Sequence, residues 1–81
     1  MKTAQQLLKE IPTIDGVTPK AWVNEDGNLQ FSAEEGDGLI DYYGEFRGGD
    51  PYINPELETW ASERGGFFEW DDPGSVTLCE V

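Results

Sequence analysis

From residue 25 to residue 81 the chain interleaves fifteen carboxylates with its aromatic residues, and only Arg47 and Arg64 oppose them, which leaves that stretch at −13. Residues 1–24 carry +1, with Lys2, Lys9 and Lys20 set against Glu10 and Asp15. Rings seek burial and carboxylates stay wet, so the two sets must sort to opposite sides of the same short elements. The charge therefore belongs to the surface of a folded body and not to a detachable tail. A disordered acidic chain would be poor in aromatics, whereas this one has three Trp, three Tyr and four Phe. Eighty-one residues suit one small acidic domain, residues 1–81. A core of that size seldom supplies more than about 3–5 kcal/mol. Self-repulsion at −12 lowers stability most at low salt, so stability is expected to rise with ionic strength.

Local signals predict an α+β fold. Thr3 caps a helix over residues 3–11 with Leu7, Leu8 and Ile11 as its apolar stripe, ended by Pro12. Residues 20–24 are extended, and Asp26-Gly27 signals a hairpin into a strand over 29–33, where Leu29, Phe31 and Ala33 alternate with Gln30 and Ser32. Residues 34–38 form a loop, residues 39–46 a strand, and residues 47–51 a break. Asn54 and Pro55 open a second helix, with Glu56 and Glu58 in its first turn and Gly65 just past Arg64. Strands over 67–71 and 75–81 follow, joined at Asp72-Pro73-Gly74, with Phe68, Trp70, Val76 and Leu78 inward. The expected architecture is two short helices on a mainly antiparallel sheet of about five strands, in the order α-β-β-β-α-β-β.

Catalysis is hard to build from this composition. Histidine is absent, which removes the usual general base and the commonest metal ligand near neutral pH. Ser32, Ser62 and Ser75 lack a base and a nucleophile-elbow motif. Cys79 is expected as a small buried apolar residue. Glu69 and Asp71 share one side of a strand at about 6.6 Å by strand rise, an arrangement expected of a solvated face. Residues 24–28 have the oxygens of a calcium loop without its order, so the hairpin turn is the preferred reading and no metal or cofactor is expected. The glycines between 36 and 49 lack a Walker lysine, and the flanking acids repel phosphate. Trp22, Tyr42, Tyr43, Tyr52, Trp60, Phe67 and Trp70 are suited to base stacking, but no basic groove accompanies them. Most are expected in the core, with Tyr42 and Tyr43 on opposite strand faces, so that one, Tyr43 for instance, is an exposed interface anchor.

A rigid acidic body repels nucleic acid and anionic membranes and attracts basic, Lys/Arg-rich protein surfaces. The sharp expectation is that its carboxylates imitate a nucleic-acid backbone and inhibit by occupancy. The contact residues expected are Glu34, Glu35, Asp37, Asp41, Tyr43, Glu45 and Asp50 as one group, and Glu69, Asp71 and Asp72 as a second. Small size, the absence of histidine, and acids spread through aromatic-rich hairpins at 39–46 and 67–71 resemble the small acidic phage-encoded anti-defence proteins, especially anti-CRISPR inhibitors and DNA mimics. The resemblance is one of character across the whole chain and assigns no residue. It implies an inhibitor in the host cytoplasm that blocks the nucleic-acid groove of a CRISPR effector complex or a restriction enzyme.

An alternative of another class is an immunity protein or antitoxin that covers a basic toxin such as a nuclease. A third reading assigns the charge to solubility or high-salt adaptation. One cysteine cannot close an intrachain disulfide and no signal-peptide pattern is evident, so cytoplasmic residence is expected. Apolar runs are too short to span a bilayer. A small core and an exposed aromatic strand are compatible with a homodimer.

Overall fold

The computed structural model describes residues 2–35, 38–44 and 51–81. Its elements are α1 (Ala4–Leu8), β1 (Ala21–Val23), β2 (Leu29–Ser32), β3 (Ile40–Asp41), β4 (Tyr52–Ile53), α2 (Pro55–Glu63), β5 (Gly66–Asp72) and β6 (Ser75–Glu80). The class is α+β with antiparallel pairing, and the strands number six among the described residues. The strand not anticipated is β4, which pairs with β3 through Ile40↔Ile53 and Asp41↔Tyr52. Two residues between Pro51 and the Asn54 cap are too few for alternation to show. Of the strand expected over 39–46, β3 is the part observed; Tyr42, Tyr43 and Gly44 follow it outside any strand. Residues 45–50 lie outside the described residues.

Both helices begin as their sequences dictate. In α1, Gln6 N donates to Thr3 Oγ1 at 3.2 Å and Thr3 N donates to Gln6 Oε1 at 3.0 Å, a reciprocal capping box. This helix stops at Leu8 and not at Ile11. Pro12 disfavours helical backbone at the residue before it, and Lys9 N and Glu10 N reach back only three residues, to the carbonyls of Gln6 and Leu7. Glu10 O is thereby left to accept the Trp60 indole N–H at 3.0 Å. In α2, Glu56 N donates to Asn54 Oδ1 at 2.8 Å, Pro55 occupies the first turn, and Leu57, Trp60 and Ala61 are buried. Gly65, at φ 78°, ends this helix in the left-handed region where a side chain would be strained.

The larger sheet has the order β1-β2-β6-β5. Directly opposed residues share a face, so the register sorts the sheet into two sides. Leu29, Phe31, Val76 and Leu78 lie on the inner side, all buried. Phe31, 0% exposed, is its centre, edge-on to Trp60 at 6.2 Å and to Phe68 at 5.2 Å. Leu7 of α1, Leu57 and Trp60 of α2, and Ile40 of β3 join the same cluster. Every element outside the sheet thus contributes to one face of it, and no helix or strand among the described residues covers the other. No helix among the described residues is long and apolar enough to cross a membrane.

Candidate acidic interface

The uncovered side of the β5–β6 hairpin carries a ladder of side-chain hydrogen bonds. Ser75, Thr77 and Cys79 point outward from β6, because Val76 and Leu78 between them point in. Each donates to one carboxylate of β5: Ser75 Oγ to Asp72 at 3.4 Å, Thr77 Oγ1 to Asp71, and Cys79 Sγ to Glu69 at 3.4 Å. Alternation alone would send Asp71 and Asp72 to opposite faces. A bulge between Trp70 and Asp72 removes that alternation, and both carboxylates accept from outward-facing donors. Asp72 Oδ1 also accepts from Gly74 N at 2.7 Å, which closes the turn that Pro73 begins.

Of the three described acids expected as a separate group, Glu34 lies at the same end as Asp72. Ala33 N donates to Gly74 O at 2.8 Å, which ties the segment after β2 to the β5–β6 turn. A methyl group on Gly74 would sit 3.3 Å from both Glu34 Oε1 and Asp72 Oδ1. Glu34 and Asp72, distant in sequence, are therefore neighbours. Glu35 diverges from them into an ion pair with Lys20 at 2.9 Å. Asp41 stands at the end of β3 and accepts from Tyr43 N at 3.1 Å. Asp37, Glu45 and Asp50 lie outside the described residues.

That bond from Tyr43 N turns the chain after β3, so Tyr42 and Tyr43 do not point to opposite faces. Their rings meet edge to face at 5.4 Å, and Tyr42 meets Trp70 in the same way at 5.2 Å. Tyr43 is 65% exposed and Tyr42 36%. The expectation that the core takes most of the rings is also overturned, since Trp22 and Phe67 are exposed as well. Both stand on the outer face by register, opposite Gln30 and Cys79. Of the seven rings considered for stacking, Trp60 alone is buried. Cys79 is half-buried on this uncovered face and not in the core.

Electrostatics separate the two sides of the molecule. Among the described residues the ion pairs are Lys2–Glu10, Arg64–Glu10 and Lys20–Glu35, and none reaches Glu34, Glu69, Asp71 or Asp72. Lys2 and Arg64 converge on Glu10, and Arg64 also lies over the Trp60 ring at 4.8 Å. Hydrogen bonds from Lys2 and then from Arg64 hold the Glu10 carboxyl below its ordinary pKa. On the outer face, burial and then the hydrogen bond to Glu69 raise the Cys79 thiol pKa, with the charges of Glu69 and Asp71 adding to it. The β5 acids are held in place by neutral donors and, among the described residues, have no cationic partner. Among the described residues, no three acidic or cysteine side chains converge closely enough to hold a metal ion.

Sequence reasoning missed the link between Glu34 and Asp72 and the outer-face exposure of Trp22 and Phe67. The signal for the second was present: Trp22 sits between inward-leaning Ala21 and Val23, and Phe67 sits two residues before Glu69. Compared with known proteins, the chain matches no family model, no curated protein and no solved structure.

Proposed function

We propose that this protein is a non-enzymatic inhibitor whose carboxylate row on β5, extended by Glu34, binds a Lys/Arg-lined nucleic-acid site and blocks it. The observation that carries this reading is the ladder from Ser75, Thr77 and Cys79, which orients three carboxylates without neutralising them. Preorganised charge avoids the ordering cost that a flexible acidic peptide incurs on binding. Acids two strand positions apart repeat at about 6.6–6.8 Å, a spacing comparable in scale to that of backbone phosphates. A host defence complex, either a CRISPR effector or a restriction enzyme, is the target class we favour, with the protein acting in the host cytoplasm.

The test is competition. Titrated against a purified effector complex or restriction enzyme with labelled DNA, the protein should displace the nucleic acid, saturate at stoichiometric equivalence and lose affinity steeply as salt rises. Failure to displace DNA from any such enzyme at low salt would refute the reading. The exposed Tyr43, beside Tyr42 and Trp70, favours one second reading, an immunity protein or antitoxin that grips a basic toxin through aromatic anchors. In that case the complex would survive saturating DNA, and Tyr43→Ala would shorten its lifetime more than acid substitutions would.

A further inference from the structure

We propose that the uncovered face of the β1-β2-β6-β5 sheet seats a basic α-helix of the partner protein, with Trp22, Glu25 and Asp26 on one flank and Glu69 and Asp71 on the other. This rests on the acidic-interface reading and specifies what that interface grips.

The relief of the face supports a helix. One register row, Trp22–Gln30–Thr77–Glu69, crosses all four strands. Three strand spacings make it about 14 Å wide, and a helix with its side chains is about 10–12 Å across. The middle of the face is made of small side chains, Ser75 and Thr77, which are 5% and 8% exposed and hydrogen-bonded to Gln30, Asp72 and Asp71 beside them. Its margins are high, with Trp22 37% and Phe67 46% exposed. A shallow depression on this side is lined by Trp22, Asn24, Glu25, Asp26, Gln30 and Asp71. The six residues of β6 give the floor a length of about 20 Å, close to four helical turns.

The make-up of the floor favours contact through side chains. Both central strands, β2 and β6, have neighbours on each side, so the floor offers no free ladder for an added strand. Recognition there must be through side chains. The floor's polar groups are mutually satisfied: Asn24 donates to Gln30 at 3.2 Å, and Gln30 donates to Ser75 at 2.8 Å. What remains unmet is negative charge on both flanks, since no ion pair among the described residues reaches Glu25, Asp26, Glu69 or Asp71. Arginines or lysines on two sides of one helix match that pattern, and the Trp22 ring offers a cation a face to lie on. A second copy of this chain, itself at −12, is opposed by the same charge.

The experiment uses isotope-labelled protein and two synthetic peptides of about 18 residues, the four-turn length worked above. One is an alanine-based helix with arginines on both flanks, and the other differs only by a central proline, which breaks the helix. The expected result at low salt is 1:1 saturation by the helical peptide, with NMR shifts at the Trp22 indole N–H, Gln30 and Thr77. Trp22→Ala should weaken this binding about threefold or more, and the proline peptide should bind more weakly still. Equal binding of the two peptides, shifts confined to Glu34, Asp72 and the tyrosines, or self-association of the free protein through this face would overturn the helix seat. Equal binding or shifts at the Glu34 end would leave cationic recognition standing. No shift from either peptide would remove the acidic-interface reading along with the seat.

Discussion

Reversing the charge at Glu34 should stabilise the protein while weakening its grip on a basic target. Glu34 Oε1 and Asp72 Oδ1 each lie 3.3 Å from the same point above Gly74, so they are separated by no more than about 6.6 Å. At that separation two like charges in water repel by about 0.6 kcal/mol. Glu34→Lys turns the repulsion into attraction of similar size, a gain of about 1 kcal/mol at 10 mM salt, where the screening length is about 30 Å. Screening over about 8 Å at 0.15 M leaves roughly 0.5 kcal/mol, and at 1 M little more than ~0.1 kcal/mol remains. For a domain of this size the low-salt gain corresponds to a rise in Tm of about 4–8 °C.

The substitution sacrifices little else, because Glu34 is exposed and its hydrogen bond to Ser32 Oγ comes from the backbone N–H, which the substitution leaves in place. Thermal denaturation followed by circular dichroism at the three salt concentrations measures the gain. Displacement of labelled DNA from a basic target at low salt should weaken in parallel. A Tm that drops, or a gain that does not shrink as salt rises, would refute the placement of Glu34 against Asp72.

Three further outcomes are expected. Phe31→Ala removes the ring on which Trp60 and Phe68 pack and should cost about 3–5 kcal/mol. That is enough to unfold the chain at 25 °C, whereas Phe31→Leu should stay folded with a lower denaturant midpoint. Glu10, whose carboxyl is depressed in the folded state by Lys2 and Arg64, adds stability that is complete above the ordinary value of 4.5 and is lost as pH falls through the folded value. Glu10→Gln should therefore flatten the acid limb of a Tm-against-pH curve, and an unchanged limb would exclude the clasp. Cys79, with its thiol pKa raised by burial and by Glu69, should react slowly with iodoacetamide at pH 8, and Glu69→Gln should speed it.

Much of the fold is written in short-range chemistry. Thr3 with Gln6, and Asn54 with Glu56, satisfy helix-end amides by contacts spanning two or three residues. Around Asp26-Gly27, Asn24 Oδ1 accepts from both Asp26 N and Asn28 N at 3.0 Å, so that turn too is legible locally. β3 and β4 were less legible. Two-residue strands have no period to read, and their pairing depends on closing the chain across residues 42–51. For the acidic interface, Glu69, Asp71 and Asp72 were identifiable as a group, while the nearness of Glu34 to Asp72 was not, because the two are far apart in sequence.

By itself the sequence determined the class of the protein, its two capped helices, its hairpins and the sign of its surface, since each rests on residues a few positions apart or on composition. Only the tertiary structure decided which acids stand together and which face of the sheet no described helix or strand covers. Pairing β2 with β6 carries Glu34 to Asp72, and the bulge in β5 brings Asp71 and Asp72 to one side. Both helices pack on the face that holds Phe31 and leave Trp22 in the open. These are consequences of strand register and layer packing, which join residues some forty positions apart and leave no local mark in the chain.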